Sequence, residues 1–144
     1  MRRIFSLLLL IAAWAAGPPA LAVEAPLTAG DRKEIRQIIA DQMEAFQRDD
    51  GVAAFAYASP TIREMFKTPD SFMAMVRRGY APVYRPRQVE FWDLIEDAAK
   101  PTQQVYVVGP DGVPVMALYE MQRQPDGSWR IDGCRLVRSP ERPA

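Results

Sequence analysis

The 144-residue sequence contains no histidine, no asparagine and a single cysteine. Without histidine the chain lacks the commonest general base, the commonest metal ligand and the base of every Ser-His or Cys-His pair. Without asparagine it offers no N-glycosylation acceptor. Its one thiol, Cys134, cannot close an intramolecular disulfide. In an oxidising compartment such a chain must hold its fold by packing alone. With no histidine and no nearby lysine to activate it, Cys134 reads as a buried, inert thiol within a strand. Acids at ligand spacing are missing too. Asp49-Asp50 and Glu96-Asp97 are bare pairs, whereas a calcium loop alternates several oxygen donors. They read as solvated acids at element ends, and neither a metal nor a cofactor is expected.

Charge of one sign is also lacking. The 18 basic and 18 acidic residues balance. Loss of the first 22 residues would remove two arginines and no acid, leaving 16 basic residues against 18 acidic. That balance makes no electrostatic case for nucleic acid or an anionic membrane surface. A hydrophobic share of 49% with 25% charged residues describes an ordinary globular domain.

What is present begins with an export signal. Arg2-Arg3 is followed by an almost unbroken apolar run, Ile4 to Ala16, and then by the break Gly17-Pro18-Pro19. Ala20-Leu21-Ala22 supplies the small-x-small pattern of a signal-peptidase site. The run is too short for a stable anchor, since spanning a bilayer takes roughly 20 apolar residues. The sequence therefore predicts cleavage after Ala22 and an exported, periplasmic or secreted chain of 122 residues. Arg2-Arg3-Ile4-Phe5 also resembles a twin-arginine signal, but the strongly hydrophobic run that follows at once favours the Sec reading. Residues 23–138 are expected to form one domain and residues 139–144 a disordered tail.

Thr28 reads as an N-cap, and Ile35, Ile38, Ile39, Met43 and Phe46 recur at helical spacing up to Asp49-Asp50-Gly51. Val52 to Ala58 favours a short helix. Ser59-Pro60 and Thr68-Pro69 each place a hydroxyl cap before proline, predicting helices over Pro60 to Phe66 and Pro69 to Arg77. Gly79 to Arg87, with Pro82 and Pro86, is expected to be irregular or extended. The period then changes to two. Val89 to Ile95, Gln103 to Val108, Val113 to Gln122 and Trp129 to Val137 read as strands, the last three joined by Pro-Asp-Gly turns. The first and last break their own alternation, the last at Gly133, which marks bulges or sharp bends in a coiled sheet around the helices, the alternative being strands buried on both faces. Trp92 and Trp129 are both expected in the core with the first helix.

The order, helices and then a curved antiparallel sheet, resembles the α+β cone fold of the nuclear transport factor 2-like superfamily, which includes ketosteroid isomerase-like and SnoaL-like proteins. Several local phrases are more specific, among them Leu27-Thr28-Ala29-Gly30-Asp31, Gln47-Arg48-Asp49-Asp50, Phe72 to Tyr80, Val83-Tyr84-Arg85-Pro86 and Gly127 to Cys134. Together they resemble a secreted bacterial family labelled domain of unknown function 4864. The resemblance implies the fold and the bacterial, exported setting. It implies no reaction.

Two groups of residues are candidate sites. Phe46, Phe55, Tyr57, Met73, Trp92, Tyr106 and Tyr119 could line an apolar ligand pocket, or simply be the core. Arg77, Arg78, Arg85 and Arg87, with Tyr80 and Tyr84, could present an anion or partner surface. Alternatively these arginines pair with local acids and cap a helix C-terminus. No residue is assigned as catalytic. Asp132 and Tyr57 have the chemistry of an isomerase base and oxyanion donor, but nothing in their setting specifies it. The preferred function is a non-catalytic module for a small apolar ligand or a partner protein. A cofactor-free isomerase, cyclase or hydrolase, or a dimerising structural subunit, are the alternatives. A lone buried carboxylate in a cavity would mark the enzyme, a cavity without ionisable groups the binding module, and an open apolar sheet face the homodimer.

Overall fold

The computed structural model describes residues 26–96 and 98–140. The export signal with its cleavage site, Asp97, and residues 141–144 of the expected tail lie outside the described residues. The architecture is α+β: among the described residues, five helices are followed by a four-stranded antiparallel sheet. Among the described residues no helix is long and apolar enough to cross a membrane.

Helix α1 (Ala29–Gln47) begins with a capping box. The Thr28 hydroxyl accepts from the Asp31 N–H at 3.1 Å, and the Asp31 carboxylate accepts from the Thr28 N–H at 2.9 Å. Its buried stripe, Ile35, Ile38, Ile39, Met43 and Phe46, is the one the spacing predicts. Helix α2 (Gly51–Ala56) is capped by Asp50 and ends two residues early, because Ala58 leaves to form a parallel bridge with Ile131. Helices α3 (Pro60–Phe66) and α4 (Pro69–Gly79) start on the Ser59 and Thr68 caps, each with proline in the first turn. The stretch expected to be irregular instead contains helix α5 (Ala81–Tyr84). Pro82 falls in its first turn, where a missing N–H costs nothing, and Val83 is buried in the core.

Strands β1 (Gln88–Ile95), β2 (Thr102–Val108), β3 (Pro114–Arg123) and β4 (Trp129–Arg138) lie in the order β1-β2-β3-β4. Both broken alternations are bulges. Trp92 and Asp93 lie between the Phe91–Val105 and Leu94–Gln103 pairs, opposite Gln104 alone. On β4, Ile131 and Gly133 pair with the neighbours Met121 and Glu120, so Asp132 is the extra residue. Buried Gln103 stabilises the first bulge: its amide donates to the Trp92 carbonyl at 2.8 Å and the Gln104 carbonyl at 2.9 Å.

One core joins α1, α2 and α4 to Val105, Val107, Ala117, Tyr119, Trp129 and Ile131 of the sheet. Trp129 is in it, 3% exposed. Trp92 is not, and that expectation is corrected. The β1 bulge leaves Phe91 and Leu94 packed against the core. Trp92 stacks on Tyr106 of the opposite sheet face, with centroids 5.6 Å apart and planes 5° from parallel.

Trp129 is also clamped to α1. Its indole N–H donates to Asp31 Oδ1 at 3.1 Å, and Arg123 lies over its ring while pairing with Asp31 at 3.1 Å. Trp129→Ala is expected to cost about 3–5 kcal/mol in chemical denaturation. A loss below about 1 kcal/mol would mean that this clamp and its burial are dispensable.

These contacts hold the Asp31 carboxyl well below its ordinary value of 3.8, the Thr28 N–H bond first and the Trp129 indole next. At Asp132, burial acts in the opposite direction, but Lys100 and Ser59 together leave its carboxyl lowered as well. A carboxyl depressed in the folded state contributes stability that is complete above its unfolded value and lost as pH falls toward the folded one. The melting temperature should hold down to about pH 5 and fall steeply below about pH 4. In Asp31→Asn the melt should start lower and the acid limb be shallower. An unchanged acid limb would remove Asp31 from this account.

Candidate functional site

A cavity of about 330 Å³ lies between the helices and the β3–β4 end of the sheet. Helix α3 contributes Ile62, Met65 and Phe66, and α4 contributes Phe72, Met75 and Val76. Gln42 and Phe46 come from α1, and Tyr80 and Val83 from the α4–α5 corner. The sheet supplies Tyr119, Ile131, Gly133 and Cys134, with Ala58 beside them. The α3 residues sit at i, i+3 and i+4, one apolar stripe on a helix with no buried residue, and Met65 is 65% exposed. That stripe was the sequence signal for the cavity.

Of the seven residues considered for a pocket, Phe46 and Tyr119 line the cavity. Phe55 and Met73 are buried in the core, and Tyr57 packs against it without lining the cavity. Trp92 and Tyr106 are stacked on the other face of the sheet. Tyr80, considered with the arginines, instead enters the cavity wall and donates to the Cys134 carbonyl at 3.0 Å.

Among the described residues no acidic or basic side chain lines the cavity. Its polar groups stay neutral. Burial raises the Tyr80 hydroxyl above its ordinary value and the Tyr119 hydroxyl well above it. Burial also pushes the Cys134 thiol up to about 12, so it remains protonated near neutral pH. The Gln42 amide donates to the Ala54 carbonyl at 3.1 Å. The Tyr119 hydroxyl lies beside the Cys134 thiol but makes no hydrogen bond of normal geometry among the described residues.

Asp132 does not join them. Its side chain, 6% exposed, accepts from the Ser59 hydroxyl at 2.6 Å and is paired with Lys100. Ser59 Oγ also caps α3 by accepting from the Ile62 N–H at 3.3 Å. Asp132 and Tyr57 therefore do not meet in the cavity. Among the described residues no group of three or more Cys, Asp or Glu is placed to hold a metal ion.

The Arg-Tyr stretch divides. The Tyr84 hydroxyl donates to Asp49, Arg85 pairs with Asp49 at 3.0 Å, and Arg77 approaches it at 3.6 Å. Arg85 also donates to the Phe46 carbonyl near the end of α1 at 2.6 Å and lies 4.0 Å over the Tyr84 ring. Arg78 and Arg87 are exposed elsewhere. Asp49 itself takes a positive φ of 53°, which aspartate tolerates better than most residues.

The model of the family described as "Domain of unknown function (DUF4864)" matches residues 28–144. The chain belongs to that family. Comparison with curated proteins and with solved structures finds no match. The match takes in the cavity, both bulges and the Asp49 cluster, so all three lie in the part of this member that aligns with its family.

Arg85 holds α1, Asp49 and Tyr84 together, and Arg78 does not. Arg85→Ala should lower the melting temperature, whereas Arg78→Ala should leave it within the small range typical of surface changes. Equal melts for the two variants would return Arg85 to the surface-recognition reading.

Proposed function

We propose that this chain is an exported, non-catalytic module of the nuclear transport factor 2-like cone type, and that it holds a small apolar molecule between α3–α4 and β3–β4. The observation that carries this reading is the cavity of about 330 Å³ with no charged side chain among the described residues of its wall. Ligand sites are concave and largely apolar, with a few polar groups that orient the occupant. An isomerase-type enzyme would need a carboxylate or another base facing the cavity. The candidate, Asp132, is engaged by Lys100 and Ser59 outside it. The two bulges and the helices-then-sheet order support the cone type. The apolar run with its Ala20-Leu21-Ala22 site supports export.

Self-association is a second reading, favoured by the apolar Trp92–Tyr106 stack on the sheet face away from the core. It uses the opposite side of the sheet and is compatible with a filled cavity.

N-phenyl-1-naphthylamine, a neutral dye that brightens in apolar surroundings, tests the binding reading. The protein should bind it saturably. Ile62→Trp, which projects bulk into the cavity from half-exposed α3, should abolish binding with little change in the melt. Dye bound equally well by Ile62→Trp, or not bound by the natural protein, would remove the cavity as the site.

A further inference from the structure

We infer that the ligand of this cavity is a neutral molecule: an apolar body carrying one oxygen that accepts a hydrogen bond from the Tyr119 hydroxyl. This inference rests on the binding reading above and narrows it to a ligand class.

The first half follows from the wall. An ionised ligand group would be stripped of water and find no counter-charge among the lining residues. The nearby charges of Lys100 and Asp132 are already paired with each other. The second half follows from an inventory of donors. The Tyr80 hydroxyl is engaged with the Cys134 carbonyl, and one N–H of the Gln42 amide with the Ala54 carbonyl. Tyr119 is fully buried and lines the cavity, and its hydroxyl has only the weakly accepting Cys134 sulfur beside it, with no hydrogen bond of normal geometry among the described residues. Leaving a buried hydroxyl unmatched is costly, and a ligand oxygen placed against it removes that cost. Tyr119 and Cys134 are cross-strand partners, so the polar end of the ligand belongs at the sheet. Its apolar body then lies among Phe46, Phe72, Met75 and Val76 of the helices. Because Tyr80, Tyr119 and Cys134 all keep their protons near neutral pH, affinity for a neutral ligand should not vary between about pH 5 and pH 8.

Three probes of similar shape separate the possibilities by calorimetry: 2-acetylnaphthalene, 2-isopropylnaphthalene and 2-naphthoate. The ketone should bind about tenfold more tightly than the hydrocarbon, the value of one neutral hydrogen bond. At pH 8 the carboxylate should bind at least about a hundredfold more weakly than the ketone, and recover as it becomes protonated in acid. Tyr119→Phe should melt at or above the natural protein, bind the hydrocarbon unchanged and lose its preference for the ketone. Ketone and hydrocarbon binding alike in the natural protein would overturn the inference, as would naphthoate binding as tightly as the ketone. A ketone preference that survives in Tyr119→Phe would do the same. These outcomes leave the binding reading intact. If none of the three probes binds, it is the cavity reading itself that fails. The comparisons on the natural protein decide the question even if Tyr119→Phe does not fold.

Discussion

One extra residue in β4 sets much of the remaining geometry. Asp132 stands between Ile131 and Gly133, which pair with adjacent residues of β3. The insertion reverses the alternation, so Ile131 and Cys134, three positions apart, both reach the cavity. It also frees the Asp132 carboxylate from the pleat to meet Ser59 and Lys100. The neighbouring backbone completes the connection. Ile131 donates to the Tyr57 carbonyl at 2.9 Å and accepts from the Ser59 N–H at 2.8 Å. Ser59 is therefore held by its backbone and its hydroxyl at once, and that hydroxyl starts α3. The bulge thus decides where one wall of the cavity begins.

The walls are unequally secured. Helix α1 is fastened at both ends, by Asp31 to Trp129 and Arg123 and by Phe46 and Asp49 to Arg85. Helix α3 has its cap and an apolar stripe but no buried residue. Lys67 closes it with a φ of 68°, a strained conformation for a residue with a side chain. Segments with few buried contacts open at lower free energy than the core. The sheet and α1 thus form the firm side of the cavity, and α3 the side where a ligand would enter at least cost.

The Arg-Tyr stretch shows how unusual composition can have a mainly structural cause. Four arginines and two tyrosines within eleven residues suggested a recognition surface. Folding distributes them over different tasks. Arg85, Arg77 and Tyr84 converge on Asp49, 35 positions upstream of Tyr84. Tyr80 turns inward to the Cys134 carbonyl. The acid that gathers this group lies too far along the chain for any local pattern to reveal.

What the sequence by itself determined is local. The stripe from Ile35 to Phe46, the Ser59-Pro60 and Thr68-Pro69 starts, and the alternation of the strands report periodicity and capping, which act within a turn or a pleat. Both bulges were legible for the same reason, because a bulge leaves a break in parity. Only the tertiary structure decided which face each aromatic occupies and which side chains meet. Trp92 went to the outer face by alternation from Phe91, and the one extra residue of the β1 bulge then returned Leu94 rather than Asp93 to the core. Phe55 and Met73 became core, while Ile62, Met65 and Tyr80 became cavity wall. A cavity is a shape left between elements distant in the chain. Its lining follows from how α1, α3 and α4 settle on β3 and β4, a long-range packing outcome that no spacing along the sequence encodes.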